Sequence, residues 1–207
     1  MPGIFVVIMS AETSASISKL NGLILAGGES TRMGADKGLI DYHGMPQREY
    51  LVQLIKPYTS ETYLSIREGQ LIDQAIPVLV DTFSGLGPFG GILSAFAFDP
   101  HAAWLVLACD FPLLDRKAIE QLISERNTNS IATSFLDEHT LMPEPWITIL
   151  EPKIYPILQD YHRRGKSSLR GVLVDYNSTV IRADDPHIML NANTPEEAEQ
   201  LRRMIAD

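Results

Sequence analysis

The sequence is short of the residues on which several common chemistries depend. It has one cysteine, Cys109, which cannot close an internal disulfide and has no Cys or His at zinc-ligand spacing. Disulfide scaffolds and zinc ribbons are thereby excluded, and a reducing, cytoplasmic setting is expected. Cys109 itself reads as a small buried apolar residue at a strand end. The five histidines show no metal spacing and none falls in a motif, so they are expected to be structural or surface residues. Positive charge is scarce too: 17 Lys and Arg against 26 Asp and Glu give a net −9, which argues against nucleic acid or an anionic membrane as partner. No apolar run approaches the roughly 20 residues a membrane helix needs. Ile4 to Met9 is too short for a signal peptide and lacks a preceding positive cluster. Without internal repeats or a low-complexity linker, the 207 residues point to one domain over residues 19–207, with residues 1–18 as a peripheral extension.

What is present is organised around Leu23-Ile24-Leu25-Ala26-Gly27-Gly28-Glu29-Ser30-Thr31-Arg32-Met33-Gly34-Ala35-Asp36-Lys37. The aliphatic run reads as a buried strand over Leu20 to Ala26, which two glycines stop and open into a loop. Gly27, Gly28 and Gly34 permit positive φ, so successive backbone N–H groups can converge on an anion, while Arg32 and Lys37 bring fixed positive charge. The pattern is that of a polyphosphate cradle. It is not a P-loop, because no Gly-Lys-Ser/Thr follows, and it lacks the G-x-G-x-x-G spacing of a dinucleotide fold.

Downstream, short aliphatic runs alternate with longer amphipathic ones, an α/β rhythm. Helices are expected over Pro46 to Ile55, Phe89 to Phe98, Asp115 (as N-cap) to Arg126, Pro152 to Arg164 and from Ser167 to Leu173. Strands are expected at Thr62 to Ile66, Pro77 to Val80, Ala103 to Ala108, Ile131 to Ser134, Trp146 to Leu150 and His187 to Leu190. Ala103 to Ala108 is continuously apolar, as a central parallel strand buried on both faces would be. An acidic helix over Pro195 to Ile205 closes the chain, with Thr194, Pro195 and Glu197 forming a capping box. The fold class is α/β: a Rossmann-like three-layer sandwich with a mostly parallel central sheet.

In such sheets ligands bind beyond the carboxyl ends of the strands. The glycine loop, Asp81, Asp110 and Asn191 to Asn193 each follow an expected strand, so they can share one cleft. Asp110, directly after the most buried strand, is placed to hold Mg²⁺, which favours one or two carboxylates plus phosphate oxygens; the competing reading is a turn or capping aspartate. Asp81 can be a ligand-binding carboxylate at that rim, or can simply initiate a turn. Arg163-Arg164-Gly165-Lys166-Ser167-Ser168-Leu169-Arg170 carries four positive charges and no acid. It is either a solvated helix end or a landing site for a second substrate's phosphate.

Residue by residue, the first stretch resembles the L-A-G-G-x-S-x-R-M-G-x-D-K signature of nucleotidyltransferases, and among them the molybdenum cofactor guanylyltransferases. Cys109-Asp110-Phe111-Pro112 resembles that family's C-D-x-P motif, Gly87-Pro88-Phe89-Gly90-Gly91 its G-P-x-x-G, and Asn191-Ala192-Asn193-Thr194-Pro195-Glu196-Glu197 its N-x-N-T-P-E-E. The resemblance implies GMP transfer from Mg·GTP to molybdopterin, with GTP, molybdopterin and other molybdenum cofactor pathway proteins as partners. Carried over, it makes Arg32, Lys37 and Asp110 catalytic and Asp110 the magnesium aspartate. Leu25, Ala26, Gly27, Gly28, Lys37, Asp81 and Asp110 would bind nucleotide, and Asn193, Lys166 and Arg170 would serve the second substrate. It also implicates Pro143-Glu144-Pro145 and the Gly165 to Arg170 stretch in shaping the pterin side. Members that use CTP tend to have L-A-A-G, so Gly27 favours GTP. Gln47-Arg48-Glu49 departs from the leucine that many relatives place after Gly44-Met45-Pro46. A phosphate monoester is mostly dianionic at pH 7 and needs no general base, so catalysis would be positioning plus charge neutralisation. A cytidylyltransferase for the same pterin, a sugar-phosphate nucleotidyltransferase and a non-catalytic nucleotide-binding regulator are the alternatives.

Overall fold

The computed structural model describes residues 18–27, 36–70 and 76–206. Seven strands form one sheet: β1 (Leu20–Leu25), β2 (Thr62–Ile66), β3 (Val78–Val80), β4 (Ala103–Ala108), β5 (Ala132–Asp137), β6 (Met142–Leu150) and β7 (Thr179–Ile181), in the order β3-β2-β1-β4-β6-β5-β7. β1 is parallel to β2 and β4, β2 to β3, and β5 to β7, while β6 runs against both β4 and β5. The sheet is therefore mostly parallel with one reversed strand. Alternating runs cannot reveal that reversal, because burial patterns carry no direction.

The described α-helices are α1 (Gln47–Ile55), α2 (Pro88–Phe98), α3 (Arg116–Ser124), α4 (Tyr155–Arg163), α5 (Leu169–Asp175) and α6 (Pro195–Ala206). Strand alternation sorts them into layers. Leu20, Ile24 and Ala26 face one way, onto Leu51 and Ile55 of α1 and Ile119 and Leu122 of α3. Leu23 and Leu25 face the other, onto α2, α4 and α5 through Phe89, Ile92, Leu158 and Val172. At the centre, β4 sends Leu105 and Leu107 to the first layer and Trp104 and Val106 to the second, all fully buried. Each such side chain contributes about 1.5–3 kcal/mol by leaving water, which anchors the middle of the sheet. Among the described residues no helix is long and apolar enough to cross a membrane.

Some elements differ from expectation. The stretch near His187 is a 3-10 helix, Pro186–Met189, not a strand: the Asp185 side chain accepts the His187 N–H and Pro186 sets the first helical φ. The final parallel pairing is made instead by β7, three residues at the sheet edge. Pro152 to Arg164 is split into a 3-10 turn, Pro152–Ile154, and α4. β6 extends back through Pro143 and Pro145 to Met142. Its pairing with β4 ends at Ile147, so the missing proline N–H groups leave no gap in that ladder.

Candidate active site

Every strand except β6 brings its carboxyl end to one rim of the sheet, and β6, being reversed, brings its beginning there. The chain leaves β1 through Ala26 and Gly27. Gly28 and Arg32, both expected at the site, lie outside the described residues. The chain returns at Asp36, whose side chain accepts the Gly38 N–H at 2.9 Å and so caps the 3-10 helix Lys37–Leu39. That cap fixes where Lys37 starts.

Lys37, Asp110 and Asn193 meet at this rim. The Lys37 Nζ donates to Asn193 Oδ1 at 2.8 Å and lies 3.7 Å from Asp110 Oδ2. The Ala192 N–H donates to the Asp110 carbonyl at 2.9 Å, stitching the Asn191–Asn193 segment to the end of β4. Behind it stands the capping box. Glu197 Oε2 accepts the N–H groups of Asn193 at 2.7 Å and Thr194 at 3.0 Å, and Thr194 Oγ1 accepts the Glu197 N–H at 3.2 Å. Asn193 is thus held by α6, following a 3-10 turn rather than the strand expected.

The chemistry of Asp110 fits a divalent cation. Its Oδ1 is buried with no hydrogen-bond partner among the described residues, although 24% of the side chain is exposed. Burial pushes the carboxyl above the usual carboxylate range and Lys37 opposes the rise. A desolvated carboxylate with one bare oxygen is stabilised by a cation brought to it. Cys109, beside it, is 6% exposed and burial pushes its thiol far up, so it is the inert structural residue expected.

The β1 end differs in detail from a simple amide cradle. The Ala26 N–H continues the strand ladder to the Ser65 carbonyl at 3.0 Å, and the Ala26 carbonyl accepts Gln70 Nε2 at 3.1 Å. The Ala26 amide is therefore not available to an anion. Leu25 is buried in the core. Gly27 does not take the positive φ that glycine permits. Its place is set by crowding, since a Cβ there would lie 3.3 Å from the Arg67 backbone nitrogen and Cγ.

Asp81 follows β3, its own N–H bonded to the Ile66 carbonyl. Its Oδ1 accepts the Phe83 N–H at 2.8 Å and the Ser94 hydroxyl at 3.0 Å, the turn-forming role considered above. A Cβ on Gly90 would meet the Phe83 carbonyl at 2.5 Å and Asp81 Oδ2 at 2.8 Å, so Gly90 is what lets this turn sit against α2. Asp81 and Asp110 end strands three positions apart in the sheet, a spread of about 14 Å.

The basic stretch divides. Arg163 and Arg164 pair with Asp160 on their own helix at 3.2 and 2.6 Å, and Lys166 lies over the Tyr161 ring at 4.9 Å. These are helix-end interactions. Arg170, from the first turn of α5, instead reaches β6 and meets Glu144 Oε2 at 3.1 Å. Glu144 is a rim residue that the sequence reading named only within a motif.

The loop after Asp110 is braced from below. The Phe111, Pro112 and Leu114 carbonyls accept from Gln47 Nε2 at 3.3 Å, His43 Nε2 at 2.9 Å and the Tyr50 hydroxyl at 3.0 Å, with His43 and Tyr50 stacked at 3.7 Å. Gln47 is completely buried. A polar side chain on the inward face of α1 was the available signal for this brace.

A mostly parallel α/β sheet with a lysine from the loop after β1 set against an aspartate at the end of its central strand is the architecture of a nucleotidyltransferase. The family model described as the MobA-like NTP transferase domain matches residues 22–180, and the chain belongs to that family. It is 30% identical over 193 residues to the molybdenum cofactor biosynthesis bifunctional protein of Synechocystis sp., covering 92% of this chain and 56% of that protein; it thus spans little more than half of that relative. It is 28% identical over 193 residues to the molybdenum cofactor guanylyltransferase of Shewanella woodyi, covering 91% of this chain and 98% of that one. The crystal structure of molybdopterin-guanine dinucleotide biosynthesis protein A from Archaeoglobus fulgidus shares the fold, with a TM-score of 0.75 at 18% identity over 90% of this chain and 98% of that chain.

Proposed function

We propose that this chain transfers GMP from Mg·GTP to the terminal phosphate of molybdopterin bearing molybdenum. An oxygen of that phosphate bonds to the α-phosphorus of GTP, the bond from the α-phosphorus to the bridging oxygen breaks, and pyrophosphate leaves. The observation that carries this reading is the meeting of Lys37, Asp110 and Asn193, in which Lys37 bonds Asn193 and stands against Asp110 Oδ2 while Asp110 Oδ1 is buried without a hydrogen-bond partner among the described residues. Lys37 neutralises charge developing on the leaving pyrophosphate, and Asn193 sets its direction. Asp110 holds Mg²⁺, which when bound supplies positive charge to the triphosphate oxygens. Gly27 and Gly28 let the backbone approach the phosphates, with Arg32 adding charge. The spread of about 14 Å from Asp110 to Asp81 suits a nucleotide lying along the rim, its base at Asp81 and its phosphates at Asp110. Arg170 meets the phosphate of the acceptor. The guanylyltransferase name of the Shewanella relative supports guanine and the pterin acceptor.

Pyrophosphate release with each nucleoside triphosphate, with and without molybdopterin, tests this. Release that requires GTP and molybdopterin together, and that falls at least ~100-fold in Lys37→Ala and Asp110→Ala, is expected. Equal release with CTP, or near-normal turnover in both folded variants, overturns it.

A further inference from the structure

Pro143-Glu144-Pro145 has no task in the chemistry above, although β6 carries it to the rim. The β4–β6 ladder pairs Trp104 with Leu150 and Leu107 with Ile147; beyond that ladder β6 reaches back to Met142, which puts Glu144 on the same rim as Asp110, in the turn that follows β4. Burial pushes the Glu144 carboxyl above its ordinary range, the Trp146 N–H and Arg170 oppose the rise, and Asp110 adds to it, as a neighbouring carboxylate must.

Glu144 is 5% exposed. Its Oε1 accepts the Trp146 N–H at 3.0 Å and its Oε2 accepts Arg170 Nη2 at 3.1 Å. With both oxygens engaged, it is arranged as the anchor of a guanidinium rather than as a cation ligand. The Arg170 side chain remains 34% exposed, and its Nε is buried without a partner among the described residues. A guanidinium carries five N–H donors in a planar fork, so the bond to Glu144 leaves donors for an oxyanion. An arginine held in place beforehand also avoids the ordering cost that a mobile one meets on binding.

We propose that Glu144 is a positioning residue for the acceptor: its buried carboxylate fixes the Arg170 guanidinium at the β6 side of the rim, where it receives the phosphate monoester of the second substrate. This rests on the transfer reaction proposed above and adds the side from which the acceptor enters, that of β6 and α5, across β4 from β1.

The test uses the full chain as wild type, Glu144→Gln, Arg170→Lys, Arg170→Ala and the Glu144→Gln/Arg170→Ala double variant. Pyrophosphate release is measured at saturating Mg·GTP with molybdopterin varied, and Mg·GTP affinity is measured separately by calorimetry. Loss of a charge-assisted phosphate contact in Arg170→Ala should raise the molybdopterin KM about tenfold. Glu144→Gln should raise it in the same direction, Arg170→Lys should restore part of it, and the double variant should be no worse than Arg170→Ala. Mg·GTP affinity should stay within about twofold throughout, which a merely structural role for Glu144 would not allow. Unchanged molybdopterin KM, additive penalties, or an equal loss of Mg·GTP affinity would overturn the proposal. Independently of turnover, calorimetric titration with inorganic phosphate should show weaker binding in both single variants than in wild type. Equal phosphate affinity overturns the clamp, whereas a wild type that binds phosphate through this pair yet releases no pyrophosphate overturns the transfer reaction alone.

Discussion

Lys37 and Asn193 stand 156 positions apart in the chain, yet the lysine Nζ donates to the asparagine Oδ1 at 2.8 Å. The bond joins the Lys37 segment to the capping box of α6, with the ammonium group 3.7 Å from Asp110 Oδ2. Asn193→Ala is expected to lower kcat about tenfold, the scale of one hydrogen bond to a charged group. If Asn193 acts through Lys37, the loss should vanish in a Lys37→Ala background. Steady-state pyrophosphate release on the two single variants and the double variant measures the coupling.

Gly90→Ala is expected to act at the nucleotide's base. The added methyl would collide with the Phe83 carbonyl and Asp81 Oδ2, at 2.5 and 2.8 Å, displacing the turn that Asp81 forms. The GTP KM should rise about tenfold or more, on the scale of a lost hydrogen bond to a charged group, and preference for guanine should weaken, with less change in kcat. Competition between GTP and the other triphosphates reads both.

At the opposite end of the sheet, Arg126 grips Glu151 through Nε at 2.6 Å and Nη2 at 3.0 Å, and both bond Ser18 just before β1. Glu151 is 2% exposed, so Glu151→Ala leaves a largely buried guanidinium unpaired. That is expected to cost about 3–5 kcal/mol of folding stability. Urea unfolding should show the loss, while kcat per folded molecule stays the same.

His43 makes part of the stability pH-dependent. Burial pushes its ring below the ordinary imidazole value, against the opposing pull of the Pro112 carbonyl and Asp41. The unfolded chain then binds a proton more readily than the folded chain, so stability rises with pH across that interval. The contribution is complete above about pH 6.5 and is lost as the pH falls through the folded-state value. Urea midpoints compared between about pH 5 and about pH 7.5 should fall less on acidification in His43→Gln than in wild type.

The parts of the fold that were legible in the sequence are those with local causes. The apolar run of β4, the Asp115 cap on α3 and the Thr194 to Glu197 box are set by neighbours within a few residues, and they stand where expected. The direction of β6 and the three-residue β7 depend on the rest of the sheet, so periodicity could not supply them. At His187, β-like composition misled because Asp185 and Pro186 together start a 3-10 turn. The site shows the same division. Lys37 and Asp110 announce themselves by motif, and the structure brings them together with Asn193. Glu144 could be recognised only once the register of β6 against β4 was known, and the separation of Arg170 from Arg163, Arg164 and Lys166 needed the helix partners of each.

The reversal of β6 has an evolutionary consequence. It puts the hairpin between β5 and β6 on the rim where Lys37, Asp110 and Asn193 meet, with Leu141 near its tip at φ 55 and 73% exposed. The ribbon there can be lengthened, shortened or recoloured without touching Lys37, Asp110 or Asn193, so a lineage is free to redraft one edge of the rim while the meeting of those three side chains stays as it is.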